Sequence, residues 1–216
     1  MPGYHHTSSF SQSVTMIRPI RTLLLPLLFA AVALNAAGAQ SSFVRDDAHS
    51  QINFTASSRM IDAQGYWDKW TATIAFDADK LEATTLALDI DAKSVNTRIG
   101  SRDNHLRSKD FFNADSFPAI TFRSKSIRAT GAAPAAGAEL NNVKLIITGE
   151  LTIRGVTKTV AIPATLVFFD RKGNVGRVKG AFTMLRKDYN ISFDSPLNPI
   201  ENEVPVQFDI AFKAAK

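Results

Sequence analysis

The segment TRIGSRDNHLRSKDFFNADSFPAITF, residues 97–122, interrupts a chain that otherwise alternates apolar and polar residues. Its first half is dense in ions, with Leu106 as its main apolar member, and Ser101 is placed to cap a first helical turn. Phe111-Phe112 and Phe117-Pro118 end that character. Ile120 and Phe122 then face alike, as in a strand entered through proline. A short polar helix set between strands suits the end of a closed sheet.

Outward from this segment the period is two. Upstream, Ile52, Phe54 and Ala56 share one face, as do Trp70, Ala72, Ile74 and Phe76, then Leu86, Leu88 and Ile90. Downstream the stripes are Val143 to Ile153, Val160 to Phe168, Val178 to Met184, and Val204 to Phe212. With the strand at Ile120 and Phe122 these make eight. Asp62–Gly65 is read as a turn, residues 41–47 as a loose polar terminus, and 130–137 as a flexible hairpin loop. Arg154-Gly155 is a tight turn.

Eight antiparallel strands with one apolar face predict an all-β fold, an extended eight-stranded barrel with a short helix between strands 3 and 4. Closure removes the edges that an open sheet would expose. A β-sandwich is the alternative. An outer-membrane barrel needs an apolar outer face, whereas the faces opposite the stripes carry Lys69, Asp89, Arg123, Lys125 and Gln207.

Arg18 and Arg21 precede an apolar run from Leu23 to Leu34, followed by Ala37-Gly38-Ala39. This reads as a signal peptide with its upstream extension at 1–39, with Met16 a candidate start and the barrel domain at 40–216. The run is too short for the ~20 residues of a spanning helix. Without 1–39, Lys plus Arg falls from 25 to 23 against 20 Asp plus Glu, a balance of +3. No long basic block remains, so nucleic acid has no footprint. The chain has no cysteine, which excludes disulfides, thiolate metal sites and a Cys nucleophile. Export without disulfides points to the periplasm.

For function, the inward stripes hold large members, with Phe168 and Phe212 among them, beside small ones such as Ala56, Ala72, Ala164 and Gly180. Ordinary core filling is one reading. The other is a lumen that shelters an acyl or prenyl chain, at ~0.8 kcal/mol per buried methylene. Its candidate lining is Ile52, Phe54, Trp70, Ile74, Leu88, Phe122, Leu145, Leu166, Phe182 and Phe208. Arg98, Arg102 and His105 are candidate head-group or rim residues; fastening of the helix by Arg98, Arg102 and Asp103 is the competing role. Catalysis is not indicated: Asp103 and His105 do not share a helix face, and no G-x-S-x-G elbow is present. No cofactor and no metal is expected.

The chain resembles the YceI-like proteins in DAHSQINF (47–54), WTATIAFD (70–77), the segment from Ser94 to Ser124, GELTIRGVTKTV (149–160) and GAFTMLRKDYNI (180–191). The resemblance implies a lipocalin-like barrel in the periplasm, binding a polyisoprenoid in its lumen. It also implies that the helix with Phe111-Phe112 covers the barrel. The expected occupant is a long-chain isoprenoid, polyprenyl phosphate or quinone-like lipid, bound, stored or transported without catalysis. Transient membrane contact and a homodimer fit that expectation. A noncatalytic structural or stress-response barrel without lipid is the rival, and an enzyme acting on isoprenoid head groups a further one.

Overall fold

The computed structural model describes residues 41–215, together with Gly3; the expected leader at 1–39 lies outside this described stretch. Eleven strands form one antiparallel sheet that closes on itself. They amount to eight staves. The first joins β1 (Ser41–Arg45) to β2 (Gln51–Ser57), the second β3 (Asp62–Trp67) to β4 (Trp70–Phe76), and the third β5 (Thr85–Asp91) to β6 (Val95–Asn96). The rest are unbroken: β7 (Ala119–Ala129), β8 (Leu140–Ile153), β9 (Val156–Asp170), β10 (Val175–Leu185) and β11 (Glu203–Ala214). Helix α1 (Gly100–Arg107) lies between the third and fourth staves, as expected. Both halves of the first stave close the barrel against β11, through Arg45 opposite Phe212 and Phe54 opposite Val206.

The staves form because apolar residues recur at every second position and bury one face only. In β4, Trp70, Ala72, Ile74 and Phe76 are buried, and Thr71 and Thr73 between them are exposed. Two bulges break this phase. One extra residue of β7, at Lys125, moves the inward face from Phe122 to Ile127. Val167 is the extra residue of β9 against β10, so Phe169 is buried and Phe168 is 37% exposed. The stripe read through Phe168 is therefore wrong at its last member, since a bulge reverses every side chain beyond it.

Three other local readings are corrected. Residues 41–45 are not loose; β1 pairs with β4 on one side and β11 on the other, driving Phe43 into the core. Asp62–Gly65 is the start of β3, paired with β2, and the turn falls between Ser57 and Asp62. Its inward position Gly65 reads as a turn residue, yet the Phe54 ring occupies the space its Cβ would need, 2.3 Å from the ring tip. Ser101 does not cap α1: the N-cap is Ile99, without a side-chain bond. Asp103 reaches back instead, accepting from the Thr97 backbone N–H (2.7 Å) and hydroxyl.

The two ends are built differently. At the end where β1 begins, Phe43, Phe76, Phe169 and Phe212 pack with centroids 4.6–6.1 Å apart. Below them Arg171 ties three loops. It pairs with Asp79 (2.9 Å) and donates to Ala78 and Ala138 carbonyls, while the Gly137 N–H donates to Asp79. The loop at 130–137 is thus pinned at its far side. The opposite end is covered by α1 with residues 108–118, by the connection 186–202, and by the β2–β3 turn.

Candidate functional site: an apolar space beneath the loop cover

Beneath that cover the barrel holds an apolar cavity of ≈ 110 Å³. Its walls come from β2, β3, β5 and each strand from β7 to β11. Leu106, Phe111 and Phe112 face it from the helix side, and Ile191 and Ile200 from the 186–202 connection. A smaller space of ≈ 40 Å³ lies toward the phenyl cluster and shares Leu86 and Ile147 with the first. The lumen is two spaces in series, stopped by the four rings.

The ten residues expected to line a lumen divide accordingly. Ile52, Phe54, Leu88, Phe122, Phe182 and Phe208 line the larger space. Ile74, Leu145 and Leu166 line the smaller. Trp70 is buried and lines neither; the Arg45 guanidinium lies 4.0 Å over its ring.

Large rings coexist with a cavity because several are laid against the wall. Phe54 stands opposite Gly65 and Phe208 opposite Gly180, and each ring tip sits where the glycine's Cβ would be. Gly180 was expected to leave room; the room it leaves is filled by Phe208, which holds that ring off the barrel axis. Side chains at these two positions would push the rings inward, because contacts of 2.3–2.5 Å leave no slack.

None of the three rim candidates lines the cavity. Arg102 donates to the Thr97 hydroxyl (2.8 Å) and carbonyl (2.9 Å), fastening α1 to its own approach. Arg98, with φ 66°, lies on the outer wall 5.9 Å over Tyr66. His105 meets Asp110 at 2.9 Å and sits edge-on to Phe111 and Phe193, at 4.9 and 4.8 Å. Through Phe111 it is the candidate nearest the cavity wall.

The charged residue that does line it is Arg186, 3% exposed, which the sequence reading did not single out. Its Nε donates to Glu201 O (2.9 Å), Nη1 to Ile191 O and Phe193 O (2.8 Å each), and Nη2 to Ile200 O (2.8 Å). Asp194 stands 3.9 Å away. Burial pulls the guanidinium below its usual value, and Asp194 opposes that. The Ile200 and Ser195 N–H groups lower the Asp194 carboxyl, with Arg186 and Lys187 adding to the effect. Arg154, at the β8–β9 turn, works similarly from the other side. It donates to Phe111 O (3.0 Å), Asn190 O (2.6 Å) and Lys109 O (2.8 Å), joining two of the covering segments. In the sequence both arginines look like surface charges beside turns, and only their carbonyl partners reveal the role.

Among the described residues, no group of three or more His, Cys, Asp or Glu is placed to hold a metal ion. None of their helices is long and apolar enough to cross a membrane.

The YceI-like domain matches residues 43–212. The chain belongs to the YceI-like family. A UPF0312 protein of Shewanella denitrificans is 35% identical over 182 residues, which cover 80% of this chain and 88% of that one. Among solved structures, BcnA of Burkholderia cenocepacia superposes with a TM-score of 0.66 at 24% identity, over 77% of this chain and 98% of BcnA. A polyisoprenoid-binding domain of Saccharophagus degradans gives 0.61 at 16% identity, over 82% and 99% of the two chains. At these identities the two structures speak for the fold. Membership places the chain in the periplasm.

Proposed function

We propose that this protein binds, stores or transports a long-chain isoprenoid or related amphiphilic lipid in the upper part of its barrel. The observation that carries the reading is the cavity under the loop cover, apolar on nearly every side inside a core that is otherwise closed. Proteins pack their interiors close to crystal density, so a space kept open by rings folded onto glycines needs a reason. The polyisoprenoid-binding domain of Saccharophagus degradans shares the architecture and supports the choice of guest. A short stretch of chain fits the resting space; a longer one requires Phe182, only partly buried, to swing. A head group passing Phe111 would meet His105 outside.

Entry is assigned to the covered end. Leu197 is 84% exposed, Met60 78% and Ile61 52%, an apolar group on two loops joined by the Met60 N–H to Asn198 and the Ser58–Ile200 bridge. Ile200, on the same connection, lines the cavity. This is the face that would touch a lipid surface.

Native mass spectrometry of protein purified from periplasm tests the reading. An organic-extractable adduct is expected. Leu88→Trp, which fills the larger space, should abolish it, whereas Leu166→Trp, in the smaller space, should leave it bound. An adduct-free protein that also refuses added isoprenoids would favour the lipid-free structural barrel.

A further inference from the structure

The two apolar spaces meet at one level of the barrel. On every strand that lines both, the residues of the larger space lie toward the cover and those of the smaller toward the phenyl cluster, without interleaving. On β8, Leu151 and Ile153 face the larger space and Leu145 the smaller, while Ile147 between them faces both. On β5, Leu86 faces both. Among the described residues these two alone line both spaces, and they are 7% and 3% exposed for Leu86 and Ile147 respectively. Between β5 and β8 runs β7, whose extra residue Lys125 falls at this level, so that its inward face jumps from Phe122 to Ile127. The Leu86 N–H donates to the Ser124 hydroxyl beside that bulge (2.8 Å), which pins β5 there. Phe122 does not divide the spaces. Its ring is laid on Gly149, whose Cβ would lie 2.5 Å from the ring tip, and it lines the larger space only. The division falls to two branched aliphatic side chains on a fixed stretch of wall.

Resting on the lumen-binding reading, we propose that Leu86 and Ile147 form a threshold across the lumen and set how much of an apolar tail the site admits. A tail entering under the cover fills the larger space and stops at the threshold, short of the ≈ 40 Å³ beyond it. Each methylene taken in before that point tightens binding about fourfold, the gain of leaving water. Any further length stays at the cover and gains nothing. Both side chains are buried in a close-packed wall and would have to leave their rotamers to let a tail by. The phenyl rings are thus the end of the barrel, and the threshold is the end of the site.

The test is a series of tails titrated into the full protein: geraniol, farnesol and geranylgeraniol, each one isoprene unit longer than the last. Binding is read by tryptophan fluorescence, since Trp67 lines the larger space. In the unaltered protein affinity should rise with length until one added unit brings no gain. Ile147→Ala lowers the threshold and joins the spaces, so that same unit should then tighten binding by at least about fourfold, one methylene's worth. Leu166→Trp, which fills the smaller space, should restore the original limit when added to Ile147→Ala and should leave the limit alone by itself. Leu86→Ala repeats the experiment from β5 should Ile147→Ala fail to fold. A limit unmoved in a folded alanine variant, or shortened by Leu166→Trp alone, would overturn the threshold while the lumen reading stands. Affinity still climbing at geranylgeraniol in the unaltered protein would do the same. If none of the three alcohols binds, the lumen reading falls and takes the threshold with it.

Discussion

The two ends of this barrel solve the same problem with different chemistry. At one end, four phenylalanines stop the lumen, with Phe43, 1% exposed, at their centre and edge to face with the other three. At the other, loops are drawn over the opening by Arg186 and Arg154, whose guanidinium hydrogens go to backbone carbonyls. Packed rings give a stop that cannot open without losing core contacts. Hydrogen-bonded loops give a cover that can move as a body while the wall stays intact. The cavity lies beside the second, the end assigned to entry in the proposed function.

The sharpest way to separate the ends is to damage each. Phe43→Ala should cost about 3–5 kcal/mol in urea unfolding, the range for a large ring lost from a packed core, and leave lipid occupancy of the folded protein unchanged. Arg186→Met should cost about 2–4 kcal/mol, because four carbonyls lose a buried charged donor. That variant should also raise the rate at which a bound lipid leaves. If Arg186→Met proves as silent for lipid exchange as Phe43→Ala, the division of labour is wrong.

A smaller effect is expected at the apolar loop tips. Replacing Met60 and Leu197 together by Ser should slow lipid transfer from vesicles by several-fold, with unfolding almost unaffected, since both side chains are exposed. Transfer at the unaltered rate would remove the lipid-facing role from that end.

The mildest contrast is in pH. Asp79, at the ring-stopped end, is held below the usual carboxylate value of 3.8, first by the Gly137 N–H and then by Arg171. A lowered carboxyl stabilises the fold above its unfolded value, and that contribution disappears as pH falls from about 3.8 through the lowered value. Tyr189, at the covered end, is pushed up to about 12 by burial, with Asp188 adding. Its contribution is complete below pH 10 and is lost as pH rises through about 12. Acid should loosen hydrogen exchange first around 77–80 and 135–138, and alkali first around 186–191. The reverse order would contradict the assignment of these two groups.

Much of the architecture was readable because period-two alternation is a direct record of which face is buried. Trp70 to Phe76 and Val204 to Phe212 needed nothing further. What escaped were features with no periodic signature. The extra residues at Lys125 and Val167 change phase without a glycine or proline to mark them, so Ile127 was missed and Phe168 misplaced. Gly65 resembles a turn residue until the ring resting on it is seen. The site was less legible than the fold. Alternation identifies an inward residue but not its height along the axis, which is why the ten lining candidates fall into two spaces and Trp70 into neither. Arg186 depends on carbonyls 5 to 15 residues further along, brought back by the path of an irregular connection that alternation does not record.

The fastening of the cover has an evolutionary corollary. Arg186 grips Ile191, Phe193, Ile200 and Glu201 by their main-chain oxygens. The latch itself therefore asks only that the main chain keep its path, and places no demand on which side chains those positions carry. On the proposed reading of this end as the entry, substitutions along that strip would retune what it admits without reinventing the latch.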